Sequence, residues 1–226
     1  MPEATFTEQL LDLVFPVSCL SCGSHGRPLC GRCLAELARH SNAREGNQRW
    51  RRQTDRTPAF SDIRAIGDYG GLLKEMVLRL KSSQRPLAVP LSRLMLAAAG
   101  NEPAYLAPEQ VFCVPSEKAK VKQRGYNPAE LLAMLIARHL GRPLELSLLK
   151  TRHTLDQDGL SGKERWANVA DAFMVAPDSR VRGKVLLVDD VLTTGATADS
   201  CARVLVEAGA DRVNVLVAVR AIFNQR

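Results

Sequence analysis

The sequence predicts an α/β fold, with a mainly parallel sheet flanked by helices, and a small N-terminal metal-binding module. Two observations support this prediction. Short apolar runs typical of buried strands alternate with helical patterns in the larger, C-terminal part of the chain. Four of the six cysteines lie within residues 19–33, in two C-x-x-C pairs. We therefore expect a zinc-finger module at 1–40, a basic linker or loop at 41–58 and the α/β domain at 59–226.

The overall composition is that of a globular protein. Apolar residues make up 46% and charged residues 24% of the 226. No apolar run reaches the ~18 residues of a membrane span, and residues 1–16 contain acids but no basic residue, unlike a secretory signal. We therefore expect a soluble, cytoplasmic protein without membrane insertion. The net charge of +7 favours anionic partners or a solvated basic face.

Periodicity and capping residues place the individual elements. Strands are predicted at residues 63–69, 111–114, 172–175, 185–188 and 213–219. Helices are predicted at residues 71–81, 87–99, 127–140 and 197–209, with shorter ones at 1–16 and 34–40. The helix 127–140 has the clearest ends, because Asn127 and Pro128 are typical of a helix start and Gly141 of a helix end. Strands that alternate with helices indicate parallel pairing.

The two C-x-x-C pairs match the ligand set of one tetrahedral Zn2+. They consist of Cys19, Cys22, Cys30 and Cys33. Structural disulfides are disfavoured in a reducing compartment, so a redox-active pair is the alternative. His25 and His40 offer substitute ligands, although four thiols already complete the set. A module of this size buries no core of its own, so we expect the metal to hold its fold. Cys113 and Cys201 lie in apolar patterns typical of core cysteines.

Residues 185–197, with the sequence VLLVDDVLTTGAT, form the most informative run in the chain. Four apolar residues, typical of a strand buried on both faces, are followed by Asp189 and Asp190. A loop then leads into the helix that is predicted to start at Thr197. The loop residues are Thr193, Thr194, Gly195, Ala196 and Thr197.

This arrangement favours a sugar phosphate as ligand. Ligands of parallel sheets bind at the carboxyl ends of strands, where the N–H groups at a helix start attract phosphate. Gly195 permits close backbone approach, and the threonines add hydroxyl donors. Asp189 and Asp190 are placed to accept hydrogen bonds from vicinal hydroxyls, or to hold Mg2+ through water. Phosphate on one side and a diol on the other describe a ribose 5-phosphate. The alternative is an ordinary buried strand followed by a turn, with two surface aspartates.

A basic segment between the strand 111–114 and the helix 127–140 adds cations to the same region. Its basic residues are Lys118, Lys120, Lys122 and Arg124. A cleft that neutralises a pyrophosphate needs cations, and we expect Lys122, Arg124 and Gly125 to contact it. Lys81 is a further candidate, although a lysine at a helix end also suits the negative end of the dipole. The alternative for these residues is a solvated surface.

Residues 185–197 resemble the phosphoribosyl-pyrophosphate (PRPP) signature of type I phosphoribosyltransferases, which has four apolar residues, two acids and a Thr/Gly loop. Over nearly the whole chain, the order of motifs resembles that of the ComF family with its GntX-type members. These motifs are the two C-x-x-C pairs, Tyr69 with Lys81, VPS…KQRGYNPAELLA, R-x-T-x-x-Q…R-x-x-N…F at 152–173, and VDDVLTTGAT. The resemblance implies a type I phosphoribosyltransferase fold, like the catalytic domain of amidophosphoribosyltransferase.

The resemblance also implies roles for particular residues. The two acids contact the ribose hydroxyls, and the loop 193–197 wraps the 5-phosphate. Residues 151–169 lie where this fold carries a mobile flap over the leaving group. The flap residues expected to reach PRPP are Arg152, Gln157 and Arg165, with Asn168 beside them.

The implied activity is Mg2+-dependent transfer of the 5-phosphoribosyl group from PRPP to an unknown acceptor, with Asp189, Asp190 and Arg124 at the reacting centre. ComF proteins are associated with natural competence, the uptake of DNA for transformation. The alternative is a non-catalytic module that senses PRPP or a nucleotide and binds single-stranded DNA or a DNA-uptake helicase. The acceptor and the oligomeric state do not follow from the sequence.

The basic stretch at 41–57 falls outside the family pattern. Arg49, Arg51 and Arg52 surround Trp50. Such a stretch can follow a single-stranded nucleic acid backbone while the indole stacks on a base. A solvated linker is the alternative.

Overall fold

The computed structural model describes residues 17–39, 57–82, 84–151, 169 and 171–221. Within these residues the strands are β1 (Asp62–Asp68), β2 (Gln110–Cys113), β3 (Leu144–Glu145), β4 (Leu148–Lys150), β5 (Phe173–Val175), β6 (Gly183–Leu192) and β7 (Ala210–Arg220). Five of them form one sheet in the order β1-β7-β6-β2-β3, and each neighbouring pair is parallel. Strands β4 and β5 form a separate antiparallel pair.

Helices cover this sheet. They are α1 (Gly31–Arg39), α2 (Gly71–Lys81), α3 (Ala88–Ala99), α4 (Pro103–Leu106), α5 (Lys118–Arg124), α6 (Pro128–Leu140) and α7 (Ala196–Glu207). A 3-10 turn, Arg85–Leu87, leads into α3. The predicted fold class, a mainly parallel sheet flanked by helices with an N-terminal four-cysteine cluster, is confirmed.

Both faces of the sheet are buried, because alternate residues of the central strand β6 pack on opposite sides. Leu186 and Val188 pack in the cluster that contains α2, α3 and α6. Val185 and Leu187 pack in the cluster that contains α7, β4 and β5. All four side chains are fully buried. A strand covered on both faces needs a continuous apolar run, which is why the sequence predicted it.

The direction in which the chain winds reverses between β2 and β6. From β2 the chain adds β3 at one edge of the sheet, whereas from β6 it adds β7 on the other side. The helix that leads into β3, α6, packs on one face, and the helix that follows β6, α7, packs on the opposite face. Doubly wound sheets bind ligands in the crevice outside the carboxyl ends of strands at such a switch point.

The N-terminal module shares the core of the larger domain. Cys19, Leu29 and Cys33 are only 3–4% exposed and belong to the same apolar cluster as Leu91 and Met95 of α3. Burial against α3 therefore stabilises the module, and the expectation that a metal holds its fold stays a prediction. The proposed division into residues 1–40, 41–58 and 59–226 stays a prediction.

Some element boundaries differ from the sequence predictions. The helix predicted at 34–40 begins at Gly31, inside the second C-x-x-C pair. The basic segment between β2 and α6, for which no secondary structure was predicted from the sequence, contains the helix α5. The predictions for residues 1–16 and for most of the stretch 41–58 lie outside the described residues. In the described part of the chain, no helix has the length and apolar character of a membrane span.

Candidate functional site

The acid pair lies within β6 and not after it. The strand runs on to Leu192, because Asp189 pairs with Val217 of β7 and Leu192 pairs with Arg220. Both acids are half-buried. Asp189 Oδ1 accepts a hydrogen bond from the backbone N–H of Asp190 at 2.8 Å. The prediction of acids at a strand end is therefore corrected by a few residues, while the pair remains in the carboxyl half of the central strand.

Lys81, the last residue of α2, contacts the acid pair. Its Nζ lies 3.1 Å from Oδ1 of Asp190, and the two side chains are 29% and 13% exposed. Lys81 therefore does more than interact with the negative end of the α2 dipole. It supplies a positive charge directly beside the two carboxyl groups.

The carboxyl group of Asp189 has a raised pKa. Burial raises the pKa of Asp189 to about 8, and the neighbouring negative charge of Asp190 adds to this rise, while the backbone hydrogen bond and Lys81 oppose it. At neutral pH Asp189 therefore retains a proton for much of the time. A pair in this state offers both a donor and several acceptors, which suits hydrogen bonding to a diol.

The loop after β6 turns sharply into α7. Gly195 occupies the N-cap position in the left-handed region, with φ +81°, and α7 begins at Ala196, one residue before the predicted Thr197. Glycine has no side chain that could cap the first turn, although Thr194 Oγ1 accepts weakly from the N–H of Ala196 at 3.4 Å. Thr193, Thr194 and Thr197 are half-buried around this turn. The positive end of the α7 dipole therefore lies at the carboxyl end of β6.

The basic segment is anchored at both ends beside the acid pair. At its start, the N–H of Val114 donates to the carbonyl of Val188 at 2.9 Å, directly before Asp189. At its end, Asn127 Nδ2 donates to the carbonyl of Val114 at 3.0 Å, and Asn127 Oδ1 accepts from Ser116 Oγ at 2.8 Å. The basic segment 115–126 therefore begins and ends beside the C-terminal end of β2.

The two cations that are expected to contact the pyrophosphate lie in the last turn of α5. Lys122 is exposed and Arg124 is half-buried. Gly125 ends the helix in the left-handed region, with φ +77°. The basic segment thus contains a helix, and its basic last turn lies near the end of β2.

The described residues that flank the predicted flap contact the same elements. Before it, Lys150 Nζ pairs with Glu117 Oε1 at 2.9 Å, at the start of α5. At its last residue, the carbonyl of Val169 accepts from Ser200 Oγ of α7 at 3.0 Å. Arg152, Gln157 and Arg165 lie outside the described residues, so their roles stay predictions.

Two residues beside this site were not singled out from the sequence. Arg85 Nη2 donates to the carbonyl of Gly125 at 3.1 Å, and its guanidinium lies 4.6 Å from the centre of the Tyr126 ring. The hydroxyl of Tyr126 donates to the carbonyl of Leu80. Arg85 lies in a short 3-10 turn between two helices, and no periodic pattern marks it as functional.

The four N-terminal cysteines form a compact cluster. Their sulfur atoms all lie within 4.8 Å of one another. The sulfur atoms of Cys22 and Cys30 are 3.7 Å apart, close to the ~3.8 Å that a tetrahedron with metal–sulfur bonds of about 2.3 Å requires. Hydrogen bonds, chiefly from the Ser24 hydroxyl, lower the pKa of Cys22 to about 6, which favours the thiolate form that binds metals. These four residues can hold a metal ion.

The histidines do not take part in this cluster where the structure describes them. His25 Nδ1 is hydrogen-bonded to Ser18 Oγ at 3.2 Å, in an isolated β-bridge. His40 lies outside the described residues. The buried core positions predicted for Cys113 and Cys201 are confirmed, at 6% and 0% exposure.

Comparison with known proteins identifies the family. The chain is 31% identical over 201 residues to Competence protein F of Haemophilus influenzae, covering 86% of this chain and 85% of that protein. The chain belongs to the competence protein F family. The ComF resemblance of the motifs is thereby confirmed.

Other comparisons extend this finding. This member of the competence protein F family is 29% identical over 213 residues to DNA utilization protein YhgH of Escherichia coli K12, covering 90% of this chain and 84% of that protein. Among solved structures it is similar to orotate phosphoribosyltransferase from Aeropyrum pernix, with a TM-score of 0.40 and 22% identity over 63% of this chain and 64% of that one. The sequence matches no protein-family model.

Proposed function

We propose that this member of the competence protein F family is a cytoplasmic phosphoribosyltransferase that binds PRPP with Mg2+ and transfers the 5-phosphoribosyl group to an acceptor. The observation that carries the proposal is the placement of the Asp189–Asp190 pair and the glycine-capped start of α7 on one strand-loop-helix unit. This unit borders the switch point of the sheet.

Each part of the site suits one part of PRPP. The α7 start, with the loop at Gly195, favours the 5-phosphate, because backbone N–H groups and the helix dipole attract anions there. Asp189 and Asp190 suit the two ribose hydroxyls, which both donate and accept hydrogen bonds. The basic last turn of α5, with Lys122 and Arg124, suits the pyrophosphate.

The donor set also fits Mg2+. Carboxylate oxygens are the protein ligands that Mg2+ prefers; Asp190 would supply them next to the expected ribose, and Asp189 would do so after releasing its proton. Bound Mg2+ would neutralise charge on the pyrophosphate. Lys81 already offsets part of the negative charge of the pair, at 3.1 Å from Asp190.

The reaction is a substitution at C1 of the ribose. The bond from C1 to the pyrophosphate oxygen breaks with its electron pair going to pyrophosphate, and a lone pair of the acceptor forms the new bond to C1. The acceptor then loses its proton to solvent. The acid pair would hold the ribose while positive charge develops on its ring, and Arg124 would stabilise the departing pyrophosphate.

The cysteine cluster is proposed to hold one structural Zn2+. Four thiols within 4.8 Å match its tetrahedral preference and its preference for sulfur. Zinc would fix the two C-x-x-C pairs against α3, and the phosphoribosyl site would not contain it.

A second candidate function is a non-catalytic module that binds PRPP and engages single-stranded DNA or a protein of DNA uptake. The names of two relatives, which refer to competence and to DNA utilization, favour it, as does the net charge of +7. Under this proposal PRPP would be a regulator of DNA handling and would not be consumed.

Release of pyrophosphate separates the two candidates. The full chain is incubated with PRPP, Mg2+ and a pool of nucleobases, amines and single-stranded DNA, and pyrophosphate is measured. The enzyme hypothesis predicts release that requires an acceptor and disappears in the double variant D189N/D190N, while the exposed-site control D211N retains it. PRPP binding without release from any acceptor would instead favour the non-catalytic module.

A further inference from the structure

We infer that Arg85 is a positioning residue for the pyrophosphate end of the site, an inference that rests on the proposed function. Arg85 lies in the 3-10 turn that links α2 to α3, outside the PRPP signature and outside the basic segment. Its side chain is exposed and reaches across to the end of α5.

Arg85 contacts Gly125 at the end of α5. Arg85 Nη2 donates to the carbonyl of Gly125 at 3.1 Å, one residue after Arg124. A Cβ atom added to Gly125 would lie 3.1 Å from the same nitrogen, so only glycine leaves room for this contact without adjustment. Arg85 therefore fixes the point at which α5 ends and from which Arg124 extends.

Arg85 also contacts Tyr126. The guanidinium of Arg85 stacks over the Tyr126 ring at 4.6 Å from its centre. The ring hydroxyl donates to the carbonyl of Leu80, one of the last carbonyls of α2, which lack partners within the helix. The neighbouring Lys81 pairs with Asp190. Arg85 and Tyr126 thus join the end of α5 to the end of α2, which already contacts the acid pair.

The guanidinium group of Arg85 suits these two contacts. Among the described residues, the partners of Arg85 are a carbonyl and an aromatic ring, and no carboxylate neutralises it. Within the described part of the chain, the position of its guanidinium is therefore set by Gly125 and Tyr126. An arginine also provides a planar group that stacks and donates at once, which a lysine cannot reproduce.

These contacts predict that loss of Arg85 affects binding of the pyrophosphate part of PRPP only. Loss of Arg85 frees the end of α5, so the position of Arg124 relative to the acid pair is no longer fixed. Binding of the pyrophosphate should weaken, whereas binding of the ribose 5-phosphate part, assigned to β6 and α7, should not change.

Calorimetry on the full chain tests this with two ligands, PRPP with Mg2+ and ribose 5-phosphate. We expect R85Q and R85K each to weaken PRPP binding by about tenfold, because neither side chain can both stack on Tyr126 and donate to Gly125 to hold Arg124 in place. Both should leave the affinity for ribose 5-phosphate within about twofold. The control R138Q, which changes an exposed arginine in the last turn of α6, should bind both ligands like the wild type.

Substitutions at two glycines test the same contact if R85Q folds poorly. Gly125 and Gly141 both end helices in the left-handed region, but only Gly125 adjoins Arg85, while a Cβ at Gly141 would meet nothing within 4 Å. G125A should weaken PRPP binding, and G141A should cost similar stability without doing so. The variant R85Q/R124Q should bind PRPP little worse than R124Q alone, because Arg85 acts through Arg124.

The outcomes separate this inference from the proposed function. Wild-type affinity for PRPP in R85K would show that charge alone matters and would overturn the positioning role, as would equal losses for both ligands in R85Q. Unchanged PRPP binding in R85Q, with binding intact in the wild type, overturns only the role of Arg85. Absence of PRPP binding in the wild type overturns both.

Discussion

The ammonium group of Lys81 lies 3.1 Å from a carboxylate oxygen of Asp190. This ion pair joins the C-terminal end of α2 to the central strand β6, so two elements that are far apart in sequence meet at the acid pair. Because both side chains are largely buried, the pair is shielded from the solvent that weakens exposed ion pairs.

A double-mutant cycle on unfolding free energy measures this coupling. We expect Lys81→Met and Asp190→Asn to show a coupling of about 1 kcal/mol or more. The pair Arg79–Glu75 on the same helix is the matched control, since its side chains are 42% and 46% exposed. Its coupling should be about 0.3–0.5 kcal/mol. Equal couplings for the two pairs would show that partial burial does not strengthen the Lys81–Asp190 pair.

The raised pKa of Asp189 predicts how stability depends on pH. The folded state keeps a proton on Asp189 up to a pKa of about 8, whereas the unfolded chain loses it near 3.8. The native state therefore binds more protons between these values, and the contribution of this group to stability is full below pH 4 and is lost as pH rises to 8.

Replacement of Asp189 by asparagine should remove this pH dependence of stability. Between pH 5 and pH 8, the Tm of the wild type should fall more than that of D189N. The extra fall should be at least about 2–4 °C, the shift that 1 kcal/mol produces in a domain of this size. Thermal unfolding monitored by circular dichroism measures it, with the exposed-site variant D211N as control. Parallel Tm curves for D189N and the wild type would mean that Asp189 titrates normally.

Metal analysis tests the zinc site. Protein purified without added zinc should contain one Zn2+ per chain, and Cys22→Ser should lose it, while Cys201→Ala should retain it. Because Cys19 and Cys33 belong to the main core, removal of the metal should also lower the Tm of the whole protein. A folded, metal-free protein with these cysteines in disulfides would contradict the assignment.

The basic stretch at 41–57 predicts weak, salt-sensitive binding of single-stranded DNA. Charge neutralisation by Arg49, Arg51 and Arg52 should make the affinity fall as salt rises, and stacking on Trp50 should add ~1–3 kcal/mol. Fluorescence anisotropy with a labelled oligonucleotide measures this. Replacement of the three arginines by glutamine should weaken binding. If the affinity is unchanged, or if no binding occurs even at low salt, the stretch is a solvated linker.

Local signals explain which elements the sequence could predict. Asn127 Oδ1 accepts from the N–H of Ala129 at 3.1 Å, and Gly141 has a φ of +63°, so both ends of α6 are set by residues at those ends. The strand β6 was predicted from four adjacent apolar residues, because a strand buried on both faces has no polar alternation. Such features depend on few neighbours and are visible in the sequence.

The contacts that assemble the site could not be predicted in the same way. None of the residues of α5 is buried, so this helix has no apolar periodicity to reveal it. The pairing of Lys81 with Asp190 and the reach of Arg85 to Gly125 join segments that are distant in the sequence. Such contacts depend on the strand order of the sheet, and local propensity does not encode that order.

Calorimetric titration of the full chain with PRPP and Mg2+ tests the central claim most directly. We expect the wild type and the control D211N to bind with equal affinity, and only when Mg2+ is present. D189N/D190N should bind at least about tenfold more weakly while its circular dichroism spectrum is unchanged. Equal affinity in the folded double variant, or no binding by the wild type, would contradict the assignment of this crevice as a PRPP site.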